Sequence, residues 1–272
     1  MNLPLALGIV VAAAAAAGAV LVLALIRRTT PGPLLKEPAR GTPMMTIVGT
    51  GFAVLLAFVT VAAFQTYNGA KRGAGSEAVA VLEMFRTAAL FPAGQRDALR
   101  ADFVCYGRAV AEQEWPAMRN GRRSPVVEHW LADYRDLFNR LDLRAARERL
   151  GFQALLAEAS QRTDGRRERL SQVTPSVPSP LWLVLVLGAC VTVGLQLGMA
   201  DRRERLLVQG AMIGAVATIV TAGLLLVNFL DHPYQRHAGS IEPTEMRQSL
   251  AMMREAAPGL ATPCRSDGRP LM

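Results

Sequence analysis

The stretch MMTIVGTGFAVLLAFVTVAAF, residues 44–64, decides the fold class. It runs for 21 residues without an Asp, Glu, Lys or Arg. As a helix it would rise about 30 Å, the thickness of a bilayer's hydrocarbon core. A helix buried in a soluble core would normally carry a polar stripe, and this one has none. Three further stretches, Leu3–Ile26, Pro180–Ala200 and Leu206–Leu230, are equally free of charge. The chain as a whole is 51% apolar, only slightly above the soluble average, so the clustering rather than the total makes the case. The expectation is an all-α membrane protein with four transmembrane helices.

The first stretch could also be read as a secretory signal. No basic residue precedes it, Arg27 and Arg28 follow it, and it is longer than a signal's apolar region, so a retained helix is expected. The spans divide the chain into four parts. Residues 1–66 hold helices one and two with a short cytoplasmic loop, and 67–179 form a helical extramembrane domain inserted between helices two and three. Residues 180–230 hold helices three and four, and 231–272 form an extramembrane tail packing on the domain.

The net charge of +8 is spread thinly: +3 in residues 27–43, +4 in 67–179, +1 in 201–205 and none in 231–272. No part is basic enough to suggest nucleic acid as a partner. Basic residues beside spans instead report orientation and contact with anionic lipid head groups. The loop after the first span carries Arg27, Arg28, Lys36 and Arg40 against Glu37, and the loop after the third reads Asp201-Arg202-Arg203-Glu204-Arg205. Both loops are therefore expected in the cytoplasm, with both termini and residues 67–179 outside. All but Lys36 and Lys71 of the 30 basic residues are arginine, a usage that points to a GC-rich bacterial genome and so to the inner membrane. Cys105 and Cys264 would then share an oxidising compartment, where a disulfide between them can persist. Cys190 falls within a span and reads as a small packing residue.

Within 67–179 the patterns are helical throughout. Gly69, Gly73 and Gly75 interrupt the second helix, which either continues or bends there, and a helical pattern resumes with Ser76 as N-cap. Leu99, Phe103, Tyr106 and Val110 share one helix face, and Trp115-Pro116 is expected to end that helix. Ser124-Pro125 starts another, striped by Val127, Trp130, Tyr134, Phe138 and Leu141. Arg144–Leu170 stays helical, with Gly151 and Gly165 as weak points. Pro175, Pro178 and Pro180 mark a linker. After the last span, Met246, Leu250 and Met253 indicate a short amphipathic helix. Gly194/Gly198 and Gly210/Gly214 are spacings that let helices approach closely in lipid.

Enzymatic chemistry finds little support. His129, His232 and His237 are the only histidines, and no Cys or carboxylate completes a metal-ligand spacing. Phosphate-loop, zinc-protease and nucleophile-elbow motifs are absent. Glu112 and Glu114, two apart, point in different directions on a helix. No catalytic residue, metal or cofactor is expected. No charge lies inside a span, which argues against proton-coupled transport and leaves passive conduction. Thr60, Phe64, Tyr67 and Lys71 recur at i, i+4, i+7 and i+11. In a ring of subunits they would line an apolar constriction, with Lys71 and Arg72 drawing anions to its mouth. The same residues also read as an interfacial aromatic belt with a basic helix anchor.

Three segments carry a resemblance. They are Gly51-Phe52-Ala53-Val54-Leu55-Leu56 with Gln65, Tyr67 and Ser76-Glu77-Ala78; Glu114-Trp115-Pro116-Ala117-Met118; and Leu230-Asp231-His232-Pro233-Tyr234. Together they resemble the bacterial bestrophin-like domain family over most of residues 44–255. The family's name implies a distant relation to bestrophins, pentameric anion channels whose pore is lined by the second membrane helix. The resemblance thus implies a homo-oligomeric chloride channel lined by Thr60, Phe64 and Tyr67. Bestrophins keep termini and large domain in the cytoplasm, opposite to the charge count here, and no acidic cluster of the calcium-clasp kind is seen. The alternative function is a non-conducting scaffold or sensor whose extracytoplasmic domain binds a partner or lipid.

Overall fold

The computed structural model describes residues 3–29, 38–200, 203–235 and 239–271. Lys36, Glu37, Asp201, Arg202, His237 and the side chain of Arg40 lie outside the described residues. The helices are α1 (Leu3–Thr29), α2 (Pro38–Thr87), α3 (Ala93–Ala109), α4 (Trp115–Arg119), α5 (Pro125–Asn139), α6 (Ala146–Leu170), α7 (Ser179–Gly198), α8 (Leu206–Asp231) and α9 (Thr244–Ala256). No strand forms among the described residues; one isolated bridge pairs Cys264 with Pro270. Four helices are long and apolar enough to cross a membrane: α1, α2, α7 and α8.

The chain folds into two compact units. One comprises residues 1–66, 175–232 and 236–239; the other comprises 67–174, 233–235 and 240–272. In the first, small residues set the helix contacts, as expected where lipid offers no hydrophobic drive between helices. Gly210 and Gly214 of α8 lie against Val20 and Ala16 of α1. Phe52 of α2 sits on Gly188 of α7, and Leu56 on Gly223 of α8; a Cβ at either glycine would fall within 2.5 and 2.7 Å of those side chains. Gly194 and Gly198 have open space beside them. At the end of α8 the Asp231 carboxylate accepts bonds from the Ser176 and Val177 backbone N–H groups, 2.7 and 3.0 Å, and from the Ser176 hydroxyl. This fixes the entry to α7.

In the second unit Leu99, Phe103, Tyr106 and Val110 are buried on one side of α3 and its extension, against Val127, Trp130, Tyr134 and Phe138 of α5. The sequence stripes read correctly. Cys105 and Cys264 are joined by a disulfide, their Cα atoms 5.7 Å apart. Trp130 donates its indole N–H to the Gly268 carbonyl at 2.7 Å, pinning the C-terminal segment. Met246 and Met253 of α9 are buried as its pattern requires.

Three local expectations need correction. Trp115-Pro116 does not end the helix: a π turn, Val110–Glu114, precedes α4, and the Trp115 N–H bonds back to the Val110 carbonyl. The wider turn accommodates the proline ring that an α-turn would exclude. Ser76 caps nothing, because α2 runs unbroken through the glycines. Gly73 does not interrupt α2, and Gly165 is not a weak point of α6. They are where α2 and α6 touch backbone to backbone, and a Cβ on Gly73 would meet the Arg169 nitrogen and Gly165 oxygen at 2.7 Å. The sequence shows that a residue lacks a side chain; only a neighbour shows why.

Candidate functional site

The Gly73–Gly165 contact brings α6 close enough for its arginines to reach α2. Arg162, Arg166 and Arg169 stand at i, i+4 and i+7, and all three are buried. Arg169 is completely buried. It grips Glu77 of α2 with two bonds, Nε to Oε2 at 2.6 Å and Nη2 to Oε1 at 3.0 Å. Its Nη2 also reaches Glu114 of the π turn at 2.6 Å. Arg166 holds the other oxygen of Glu114 at 2.6 Å and Glu128 of α5 at 2.9 Å. The Tyr106 hydroxyl donates to Glu77 at 2.5 Å, and Arg162 donates to the Tyr134 hydroxyl. Around Arg169 the cage closes with the Trp115 ring 4.8 Å from its guanidinium carbon, the Met118 sulfur, and Tyr234, whose hydroxyl donates to the Arg169 carbonyl.

The electrostatics are self-consistent. Burial alone would push the Glu114 carboxyl up, but the Arg169 and Arg166 guanidiniums outweigh it and hold the group below the usual carboxylate range. Burial would likewise lower Arg169, yet Glu77 and Glu114 raise it. Burial, and then the Glu77 charge, drive the Tyr106 phenol well above its ordinary value. Both carboxylates are occupied by guanidinium or hydroxyl donors. The arrangement is a lock between α2, α6 and the π turn. Among the described residues no group of three or more His, Cys, Asp or Glu is placed to hold a metal ion.

The residues expected on the α2 stripe are distributed unevenly. Phe64 and Lys71 are exposed, Thr60 and Tyr67 half-buried. The Thr60 hydroxyl donates to the Leu56 carbonyl of its own helix at 2.7 Å. Tyr67 packs against the core of the second unit. Arg72 is exposed, its guanidinium 3.8 Å from Glu168. Phe58 of α2 is 72% exposed, flanked on its face by Val54 and Val61. Glu112 and Glu114 do diverge: Glu112 pairs with Arg247 at the surface while Glu114 is buried. His129 lies edge-on to Trp130, and His232 shares its Nδ1 with the Asn228 carbonyl.

The three segments that carried the sequence resemblance supply Glu77, Glu114, Trp115, Met118 and Tyr234, which converge on one arginine. A model of the bestrophin-like domain matches residues 13–245. The chain belongs to the bestrophin-like domain family. A crystal structure of a bacterial bestrophin homologue from Klebsiella pneumoniae matches with a TM-score of 0.67 at 11% identity, covering 92% of this chain and 97% of that one. A point variant of that homologue gives 0.66 at 13% identity, covering 92% and 98%. A crystal structure described as that of a membrane protein variant gives 0.67 at 12% identity, covering 97% and 99%. At such identities the likeness establishes the fold. No curated protein matches the sequence.

The arginine at the centre of the bestrophin-like motifs was missed in the sequence. Its signal was present: Arg162, Arg166 and Arg169 recur with helical spacing on a single face. Such a run reads as a solvated face until the acidic partners, which lie 38 to 92 residues away, are brought opposite.

Proposed function

We propose that the protein is an oligomeric channel that passes anions, chloride among them, along α2. The observation that carries this reading is the unpacked face of α2. Val54, Phe58 and Val61 are large, apolar and exposed there, and Phe64 and then Lys71 and Arg72 continue the exposed surface. Copies of α2 around an axis would form an apolar constriction that opens by wetting, followed by a basic ring that favours anions. Thr60 and Tyr67 stand at the margin of this face. Uncharged spans suit passive flow. The family and the fold of the bacterial homologues support self-association into such a ring.

The large helical unit and both termini are assigned to the extracytoplasmic side. The Cys105–Cys264 disulfide suits an oxidising compartment, and Arg27, Arg28, Arg203 and Arg205 suit the opposite face. Purified protein in planar bilayers is expected to conduct chloride. Phe58→Ala and Phe64→Ala should raise conductance, and Lys71→Glu with Arg72→Glu should move the reversal potential toward cations. Absence of conductance together with a monomer by light scattering would sink the channel and favour a non-conducting scaffold or sensor.

A further inference from the structure

The arginines of α6 have a second face. Arg162, Arg166 and Arg167, with Arg135 of α5 and Arg123 just before it, line a cavity of about 290 Å³. Its one acidic wall residue, Glu128, already bonds Arg166. Arg166 is neutralised within the buried lock, but the others are not. Arg162 is 5% exposed; it donates to the Tyr134 hydroxyl and lies over the Tyr106 and Tyr134 rings. Its Nε is buried with no acceptor. Among the described residues neither Arg123 nor Arg135 has an ion-pair partner, and Arg167 has only an exposed contact with Asp164 at 3.6 Å.

Buried N–H donors are normally satisfied, and a charged donor left without an acceptor costs more than a neutral one. Four guanidiniums without buried counter-charge, set around one small space, also repel each other. An anion in the cavity offsets that repulsion. Guanidinium groups offer paired, parallel N–H bonds that match two oxygens of one oxyanion, a fit a spherical halide cannot use. The space equals roughly ten water volumes, room for an oxyanion and a partial hydration shell.

We propose that this cavity binds a phosphate group, held by Arg162 at its floor and by Arg123 and Arg135 at its rim. The site lies in the helical unit of residues 67–174 and is separate from the conducting face assigned to α2.

The test uses the full chain in phosphatidylcholine nanodiscs. Inorganic phosphate is titrated by calorimetry, and a second set of discs contains phosphatidic acid. Arg123→Gln/Arg135→Gln removes only exposed side chains, and Arg140→Gln, an exposed α5 arginine outside the cavity, is the control. Saturable phosphate binding is expected, weakened at least ~10-fold in the double variant, unchanged in the control, and displaced by sulfate but not by equimolar chloride. Free phosphate binding equally in both discs assigns a soluble anion. Phosphate binding lost only in the phosphatidic acid discs of the wild type assigns a lipid head group. No saturable phosphate binding, or equal loss in the double variant and the control, overturns the proposal.

Discussion

Removing Arg169 while leaving its partners in place should be the most damaging single substitution outside the apolar core. In Arg169→Met the Glu77 carboxylate loses bonds of 2.6 and 3.0 Å and keeps only the Tyr106 hydroxyl. Glu114 loses one bond of 2.6 Å but retains Arg166. Both carboxylates are fully buried, so water cannot replace the missing donor. Breaking a buried pair this way costs about 3–5 kcal/mol, most of it from the charge left behind. Adding Glu77→Gln removes that charge, and the double variant should recover at least about 2 kcal/mol relative to the sum of the single effects. Arg169→Lys should be intermediate, because an ammonium cannot make the two-pronged bond to Glu77. The measurement is equilibrium unfolding in mild detergent, followed by tryptophan fluorescence in a Trp182→Phe background. The signal then comes from Trp115, stacked on Arg169, and Trp130 in the same unit. A loss below about 1 kcal/mol for Arg169→Met, or a strictly additive double variant, would refute the view that the arginine locks these helices.

Asp102 predicts a pH dependence. Burial, then the charge of neighbouring Asp133, push the Asp102 carboxyl from 3.8 to about 8. Arg96, Asp97, Arg100 and Arg140 line the same cavity of about 820 Å³. The folded state therefore keeps a proton that the unfolded state has released. The stabilisation is complete below about pH 4 and is lost as pH rises through about 8, by at most about 6 kcal/mol. Asp102→Asn should flatten that slope in melting curves collected across the range; an unchanged slope would rule Asp102 out as its source. Gly165→Ala places a Cβ 2.7 Å from the Glu77 nitrogen. It should cost at least about 1–3 kcal/mol by forcing α2 and α6 apart, a figure that unfolding of the purified variant would check. Opening the Cys105–Cys264 bridge, which closes a loop of 159 residues, should cost about 2–5 kcal/mol. Reduced and oxidised protein should also differ in mobility on gels, and equal melting temperatures would contradict the tie.

The four spans were legible because the membrane imposes its demand on every residue of a helix locally. Twenty uncharged residues mean the same thing wherever they pack. The stripes of α3 and α5 were legible for a similar reason, since periodicity records which side is buried without naming the partner. Counting made a Cys105–Cys264 pair conceivable, and the approach of the two residues in the fold decides it against two separate thiols. Glycine had no such local meaning: Gly73, Gly75 and Gly165 look alike in a sequence, and only the approach of two backbones distinguishes a contact residue from a weak point. Charge behaved the same way. Nothing along the chain sets Arg162, Arg166 and Arg169, or Glu77 and Glu114, apart from solvated charges until folding places them within bonding distance. A hydrophobic residue carries its preference with it, but a charged or missing side chain takes its meaning from what stands opposite. The location of the spans was therefore written along the chain, while the lock that joins α2 to α6, and the arginine-lined cavity beside it, exist only in three dimensions.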